Sequence, residues 1–275
     1  MKTFTKIFIA LIVLCVPTLV MANAPDRPPA FLNGSHYRYD ISFLWFDRLA
    51  SGELSLAATA IPGQYQATLE ARTLGVAAWL TGNRVHRYVA LMEATPDDGR
   101  LRTLRFESHV IKGQGKKLKD RAKEYVFNYE KKRVDFRRAS NGQFGPIEVL
   151  PMGDTPLNDF LTVFTNFRMG FFGSPAPGET LELDTFERGH PAKIIVTATP
   201  LSPAEHQTFF PSEGKLFQIS MGEDILDTGG GKVFLWFDSL ERPARAVVEN
   251  VIGTGDVKGT LREEQVAGEG GQIKK

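Results

Sequence analysis

The string with the most explicit chemical potential is Ile225-Leu226-Asp227-Thr228-Gly229. Two apolar residues before Asp-Thr-Gly are the surroundings of an aspartic-protease carboxylate, a chemistry that needs two carboxylates about 3 Å apart sharing one proton. A single copy would have to dimerise. Here the string runs into Gly230 and Gly231 and then into an alternating apolar segment, so it reads first as a hairpin turn whose glycines supply positive φ. The histidines His36, His86, His109, His190 and His206 form no i, i+4 pair and no His-Glu-x-x-His zinc motif. The simplest placement of His36, His86 and His109 is the outward face of a strand. Gly173-Ser174-Pro175 lacks the strand-turn-helix frame of a nucleophile elbow. Gly113-Gln114-Gly115-Lys116 lacks the frame of a phosphate loop, and Gly253-Thr254-Gly255 misses the dinucleotide spacing. These motifs imply no catalytic residue, metal ligand or cofactor.

Charge distribution is the remaining lead. The whole chain carries a formal net charge of +1, which selects no partner. Between residues 100 and 138, however, fourteen Lys or Arg face five acids, so the acidic excess lies elsewhere. Lys112, Lys116, Lys117, Lys119, Arg121 and Lys123 cluster around Gly113 and Gly115, as expected for a hairpin loop and the strand that leaves it. They are the candidate ligand-binding residues, since concentrated positive charge suits the phosphates of a lipid or another anionic surface. The competing reading is a solvated strand edge on which lysines block unwanted pairing.

An export signal narrows the partners. Lys2 and Lys6 precede an apolar run over 7–21, followed by the small-residue pattern Ala22-Asn23-Ala24. This is the layout of a signal peptide, here 1–24, cleaved after Ala24. The run is shorter than the roughly 20 apolar residues that span a bilayer, so no transmembrane helix is expected to remain. A periplasmic location follows, nucleic acid is disfavoured as a partner, and a lipid or other anionic envelope component is favoured. The one cysteine, Cys15, falls inside the signal, so the mature chain has no disulfide, thiolate metal site or cysteine nucleophile.

The elements that must hold these residues are mostly strands. Tyr37, Tyr39, Ile41, Phe43 and Trp45 alternate with polar neighbours, and Leu54, Leu56 and Ala58 then Tyr65, Ala67 and Leu69 repeat the pattern across Pro62-Gly63. Period-two alternation joined by a Pro-Gly turn predicts antiparallel hairpins. Further strands are predicted over 84–92, 101–111, 122–130, 133–137, 180–186, 193–199, 216–221, 232–238, 244–252 and 257–262. Asp154-Thr155-Pro156-Leu157 has the form of a helix opening, and Leu157, Phe160, Leu161, Phe164 and Phe167 recur at helical spacing, predicting a helix over 155–168. A shorter one is expected over 74–80. The Gly- and Pro-rich loop 170–178 either divides two halves or links strands of one sheet. The resulting expectation is a mainly β fold, a single domain over 36–265 built as one long curved antiparallel sheet, a half-barrel or open barrel with one helix packed on or in it. A proline-rich linker at 25–35 precedes it, and a disordered tail at 266–275 follows. Leu44-Trp45-Phe46-Asp47 and Leu235-Trp236-Phe237-Asp238 repeat each other, through duplication or through similar strand ends.

Several of these landmarks occur together elsewhere. Tyr37-Arg38-Tyr39-Asp40 leading to Gly52-Glu53-Leu54, Asp154-Thr155-Pro156-Leu157 with its following aromatics, and Val233-Phe234-Leu235-Trp236 with Asp238, Arg242-Pro243 and Gly253 resemble an uncharacterised bacterial family of exported proteins, the domain of unknown function numbered 3108. The resemblance spans roughly 37–262, with Thr155 inserted into the family's Asp-Pro-Leu. It implies a periplasmic location and a β-rich fold, and no activity. Three functions compete: a carrier whose concave face, lined by Phe and Trp, holds an apolar or lipid-like ligand; a cell-envelope interaction or scaffold protein; and a hydrolase with dispersed Asp, Glu and His. The 20 Phe and 3 Trp beside the basic cluster favour the carrier.

Overall fold

The computed structural model describes residues 29–44, 46–75, 78, 82–113, 115–187, 189–200, 208–222, 232–249 and 255–266. The proposed signal peptide, the Asp227-Thr228-Gly229 string, His206 and nearly all of the expected tail lie outside them, as does most of the short helix expected over 74–80. The described strands are β1 (Ser35–Phe43), β2 (Phe46–Ala58), β3 (Gln64–Thr73), β4 (Val85–Ala94), β5 (Leu101–Lys112), β6 (Lys119–Asn128), β7 (Arg133–Ser140), β8 (Gln143–Phe144) and β9 (Glu148–Pro151). After helix α1 (Phe160–Arg168) come β10 (Thr180–Glu187), β11 (His190–Thr199), β12 (Lys215–Ser220), β13 (Val233–Phe237), β14 (Pro243–Val248) and β15 (Val257–Val266).

All of them join one antiparallel sheet in the order β10-β11-β12-β13-β14-β15-β1-β2-β3-β4-β5-β6-β7-β8, with β9 on β7. Strands on both sides of the 170–178 loop therefore share a sheet, stitched by the pairing of β15 with β1. The path does not close by hydrogen bonds, since β10 and β8 are its two ends. Its ends nevertheless meet through side chains: Phe186 of β10 stands edge-on to Tyr125 and Phe127 of β6, at 6.1 and 5.7 Å between ring centres. The sheet is a strongly curved open barrel. Hairpin chemistry is visible locally, as at Gly63, whose φ of 77° continues the turn begun by Pro62.

Helix α1 plugs one end of the concavity. It starts five residues later than the sequence predicts, at Phe160 with Asp159 as its cap. The Asp154-Thr155-Pro156 opening is not used, because the chain there is committed to long-range partners. The Asn158 carbonyl accepts from the Phe186 amide at 2.8 Å and the Thr185 hydroxyl at 2.9 Å, which holds Leu157 and Asn158 across the barrel end. Asp159 Oδ1 accepts from the amides of Leu161 and Thr162, satisfying two otherwise orphaned donors of the first turn. Below the point where β6 begins to pair with β5 at Arg105, two asparagines stand in for the missing strand. Asn166 accepts from the Leu101 amide at 2.9 Å and donates to its carbonyl at 2.8 Å, and Asn158 accepts from the Thr103 amide at 2.8 Å. These bonds dock the helix on β5 and satisfy buried backbone groups that water cannot reach.

Packing divides along the helix. Leu161 joins Leu56, Ala67, Ala90, Met92 and Leu101 on one flank, and Val163 joins Leu183, Ile194, Val196, Phe217 and Phe237 on the other. A third cluster gathers Tyr125, Phe127, Val134 and Phe136 with Met152, Leu157 and Phe186. A fourth lies on the convex face, where Phe234, Trp236 and Val247 are covered by Phe209 and Phe210. The described parts of the repeated tetrapeptides do not occupy equivalent places: Phe46-Asp47 opens β2, whereas Leu235-Trp236-Phe237 ends β13. Among the described residues no helix is long and apolar enough to cross a membrane.

Candidate functional site

Antiparallel pairing puts the C-terminal ends of β1, β3, β5, β12 and β14 and the N-terminal ends of β2, β4, β6, β13 and β15 at one end of the barrel, opposite the end that α1 occupies. At the helix end a more polar space of about 840 Å³ is bordered by Tyr37, Arg168, Arg242 and Glu264, and between the helix and those strand ends a cavity of about 750 Å³ remains. Its floor is Phe160, Phe164 and Phe167 of α1, and its walls are the inward-facing residues of β1–β4 and β10–β15. Leu54, Leu69, Ile194, Val196, Leu235 and Val257 are typical of the wall. Period-two alternation places these side chains inward, since each shares a face with core residues of its strand. A concave space of this size, walled almost wholly by apolar groups, is what an apolar ligand needs. Tyr39 lies on this wall with its hydroxyl donating to the Pro243 carbonyl at 2.9 Å. Burial holds its phenol protonated far above the ordinary range, so it contributes no charge.

The other polar residues that border the cavity are Glu70, Arg72, Thr73, Arg84 and His86, toward the open end, with Arg72 paired to Glu70 at 2.8 Å. His86 thus points inward, correcting the expected outward placement: it alternates with Tyr88 and Ala90, which face the interior. His36 and His109 do lie on the convex face, beside Glu53 at 3.3 Å and Glu107 at 3.2 Å. The aromatic lining also departs from expectation. Phe160, Phe164, Phe167, Phe217 and Phe237 face the cavity, but Trp236 points to the convex side.

Another space of about 720 Å³ adjoins the apolar cavity and shares Arg84, Tyr88 and Phe160 with it. Strands β5, β6 and β7 wall it, with Phe186 and Glu187 of β10 opposite. Of the six candidate residues, Arg121 and Lys123 line this space. Lys112 and Lys119 face each other in register where β5 and β6 leave their hairpin, and alternation puts Lys119 on the face of Arg121. Lys117 is exposed in the short 3₁₀ turn between these strands, and Lys116 lies in the same turn, its side chain outside the described set. The loop and the chamber therefore share one end and one side of the barrel. Gly113 of this loop also donates its amide to the Gly82 carbonyl of the β3–β4 connection. Arg84, Arg138 and Glu187 complete the chamber and were not among the candidates. The signal for Arg138 was present as register: it sits directly across from Lys123.

The buried carboxylate in the interior is structural. Asp159 is 1% exposed, and its Oδ2 accepts from the hydroxyls of Thr162 at 2.6 Å and Thr103 at 2.7 Å. Burial pushes its pKa up, opposed by these bonds and by the two amides. Tyr129 packs beside it, donating to the Leu157 carbonyl and to Asn158, its phenol pushed up by burial and by the Asp159 charge. All the acceptor positions of this network are spent on holding α1. Among the described residues no group of three or more His, Cys, Asp and Glu is placed to hold a metal ion.

No family model matches the chain, and no curated protein matches it. Among solved structures it is similar to a β-barrel-like protein of the domain of unknown function DUF1849 from Brucella abortus. Identity is 11%, the match covers 86% of this chain and 98% of that one, and the TM-score is 0.46.

Proposed function

We propose that this chain is an exported, periplasmic binding or carrier protein that holds an apolar or lipid-like envelope ligand inside the open barrel. One observation carries the reading: the apolar cavity of about 750 Å³ between the phenylalanines of α1 and the hairpin end, walled almost wholly by apolar side chains and flanked by packed core on both sides of the helix. Protein interiors are otherwise packed to the density of organic crystals, and an apolar space over an apolar helix face suits an apolar ligand. Burying an alkyl chain there is worth about 0.8 kcal/mol per methylene, enough for micromolar binding from a chain of ten or more carbons. Export rests on the charged and apolar N-terminal segment, and membership of the 3108 family on the landmarks given above. The test is lipid extraction and mass analysis of the purified protein, followed by titration of the delipidated protein with a fluorescent fatty acid. Co-purified amphiphile and saturable, one-site uptake are expected. An empty protein that takes up no fatty acid would overturn the reading.

A further inference from the structure

The chamber beside the apolar cavity sorts charge by face in a way that identifies a ligand group. On β5, β6 and β7, the carboxylates Glu107, Asp120, Glu124 and Asp135 all alternate to the convex side. There Glu107 meets Arg105 and His109, Glu124 meets Arg105 and Arg137, and Asp135 meets Arg133. The concave side of the same strands carries Arg121, Lys123 and Arg138. Lys123 and Arg138 are direct cross-strand partners, an arrangement in which like charges repel. Among the described residues neither Arg121 nor Lys123 has an ion pair or a side-chain hydrogen bond. Arg138 meets only the face of the Phe136 ring, at 5.1 Å. Among the described residues Arg84 also borders the space from the β3–β4 side and Glu187 from β10, and both already have partners.

We propose that this chamber receives a phosphomonoester head group, so that the ligand is a phosphate-bearing amphiphile with its chain in the apolar cavity. The proposal rests on the carrier reading and deepens it. A carboxylate brings one charge and two oxygens to the three exposed cations Arg121, Lys123 and Arg138. A phosphomonoester brings about −1.5 to −2 charges and three acceptor oxygens, matching two arginine forks and a lysine point charge. Ser108, directly across from Lys123, and Ser140, directly across from Arg121, add hydroxyl donors on the same wall. Tyr88 and Phe160, shared by both spaces, mark the junction where head group meets chain.

The test compares hexadecyl phosphate, hexadecanoic acid and hexadecanol on the delipidated full-length protein and on the variant Lys123→Gln/Arg138→Gln, at low and moderate salt. Inorganic phosphate serves as a competitor. The expected result is binding of the phosphate at least tenfold tighter than the acid and tighter still than the alcohol. In the variant that preference collapses to under threefold while hexadecanol affinity is unchanged. Hexadecanol reads the apolar cavity alone: if it binds but the three amphiphiles are not distinguished, or if the variant retains the preference, the head-group assignment is overturned and the carrier reading stands. If inorganic phosphate displaces hexadecyl phosphate completely at equal concentration, the chamber is a free-phosphate site, which also overturns the amphiphile. If none of the three binds, the carrier reading itself has failed.

Discussion

Replacing Asp159 with alanine tests whether one buried carboxylate seats the cavity floor. Its Oδ1 takes the amides of Leu161 and Thr162 at 2.8 and 3.2 Å, and its Oδ2 takes the hydroxyls of Thr162 and Thr103 at 2.6 and 2.7 Å. Loss of an N-cap costs about 1 kcal/mol, and each buried group left without a partner adds about 1–3 kcal/mol. The two hydroxyls stand 3.0 Å apart and can satisfy each other in part, so the net cost should be about 3 kcal/mol. Asp159→Asn keeps an acceptor for the amides and presents donors to two hydroxyls able to accept, so it should cost under about 1 kcal/mol at acidic pH. The pH dependence gives a second handle. Burial, the largest influence on this carboxyl, raises its folded pKa above the unfolded value. The folded protein therefore holds a proton that the unfolded chain has released. The contribution is full below the unfolded pKa of about 4 and is lost as pH rises through the folded pKa. The asparagine variant lacks this loss, so the stability difference should move in its favour from acidic to neutral pH. Urea unfolding followed by circular dichroism across that range measures both effects. An alanine variant within about 0.5 kcal/mol of the parent, or a difference that moves the opposite way with pH, would refute the assignment.

Three further substitutions separate the cavity from the scaffold. Ala246→Trp places an indole on the cavity wall from a half-buried position and should abolish fatty-acid uptake while leaving the unfolding midpoint within a few degrees, as read by parallel titration and thermal melts. Trp236→Phe, on the convex face under Phe209 and Phe210, should cost about 1–2 kcal/mol in urea unfolding and leave ligand affinity within twofold; a large affinity loss would mean the indole faces the ligand. Gly214→Ala should destabilise by about 1–3 kcal/mol, because φ there is +137° and a Cβ would press on the Phe237 carbonyl and within 2.6 Å of the Trp236 ring. Wild-type stability in that variant would show that the approach relaxes freely.

How much of this could be read beforehand differs from element to element. Alternation located the strands because most have one polar face, as in Tyr37, Tyr39 and Ile41 against His36, Arg38 and Asp40. The start of α1 was misplaced because local signals at Asp154-Thr155-Pro156 compete with bonds from Asn158 to Thr103, Thr185 and Phe186, 27 or more residues away. Tryptophan was expected with phenylalanine on the concave face, and Trp236 departs from this because β13 is apolar on both faces, so that only the cover supplied by Phe209 and Phe210 decides which side is outside. The basic segment was found by composition, but its division was not: Arg121 and Lys123 share the parity of Tyr125 and Phe127, whereas Arg105 and Arg137 belong to ion pairs on the other face. Arg84 and Glu187 reach the chamber from distant strands, and no local pattern joins them to β6.

The central claim is that an alkyl chain occupies the space between α1 and the hairpin end, and site-specific photocrosslinking tests it most directly. A fatty acid carrying a diazirine near the end of its chain would be bound to delipidated protein and irradiated, and the labelled peptides sequenced by mass spectrometry. Labels should fall on α1 and on the inward residues of β11 to β13, such as Phe164, Val196, Phe217 and Leu235. Labels confined to convex residues such as Phe209, Phe210 and Trp236, or scattered over the surface without competition by unlabelled fatty acid, would contradict it.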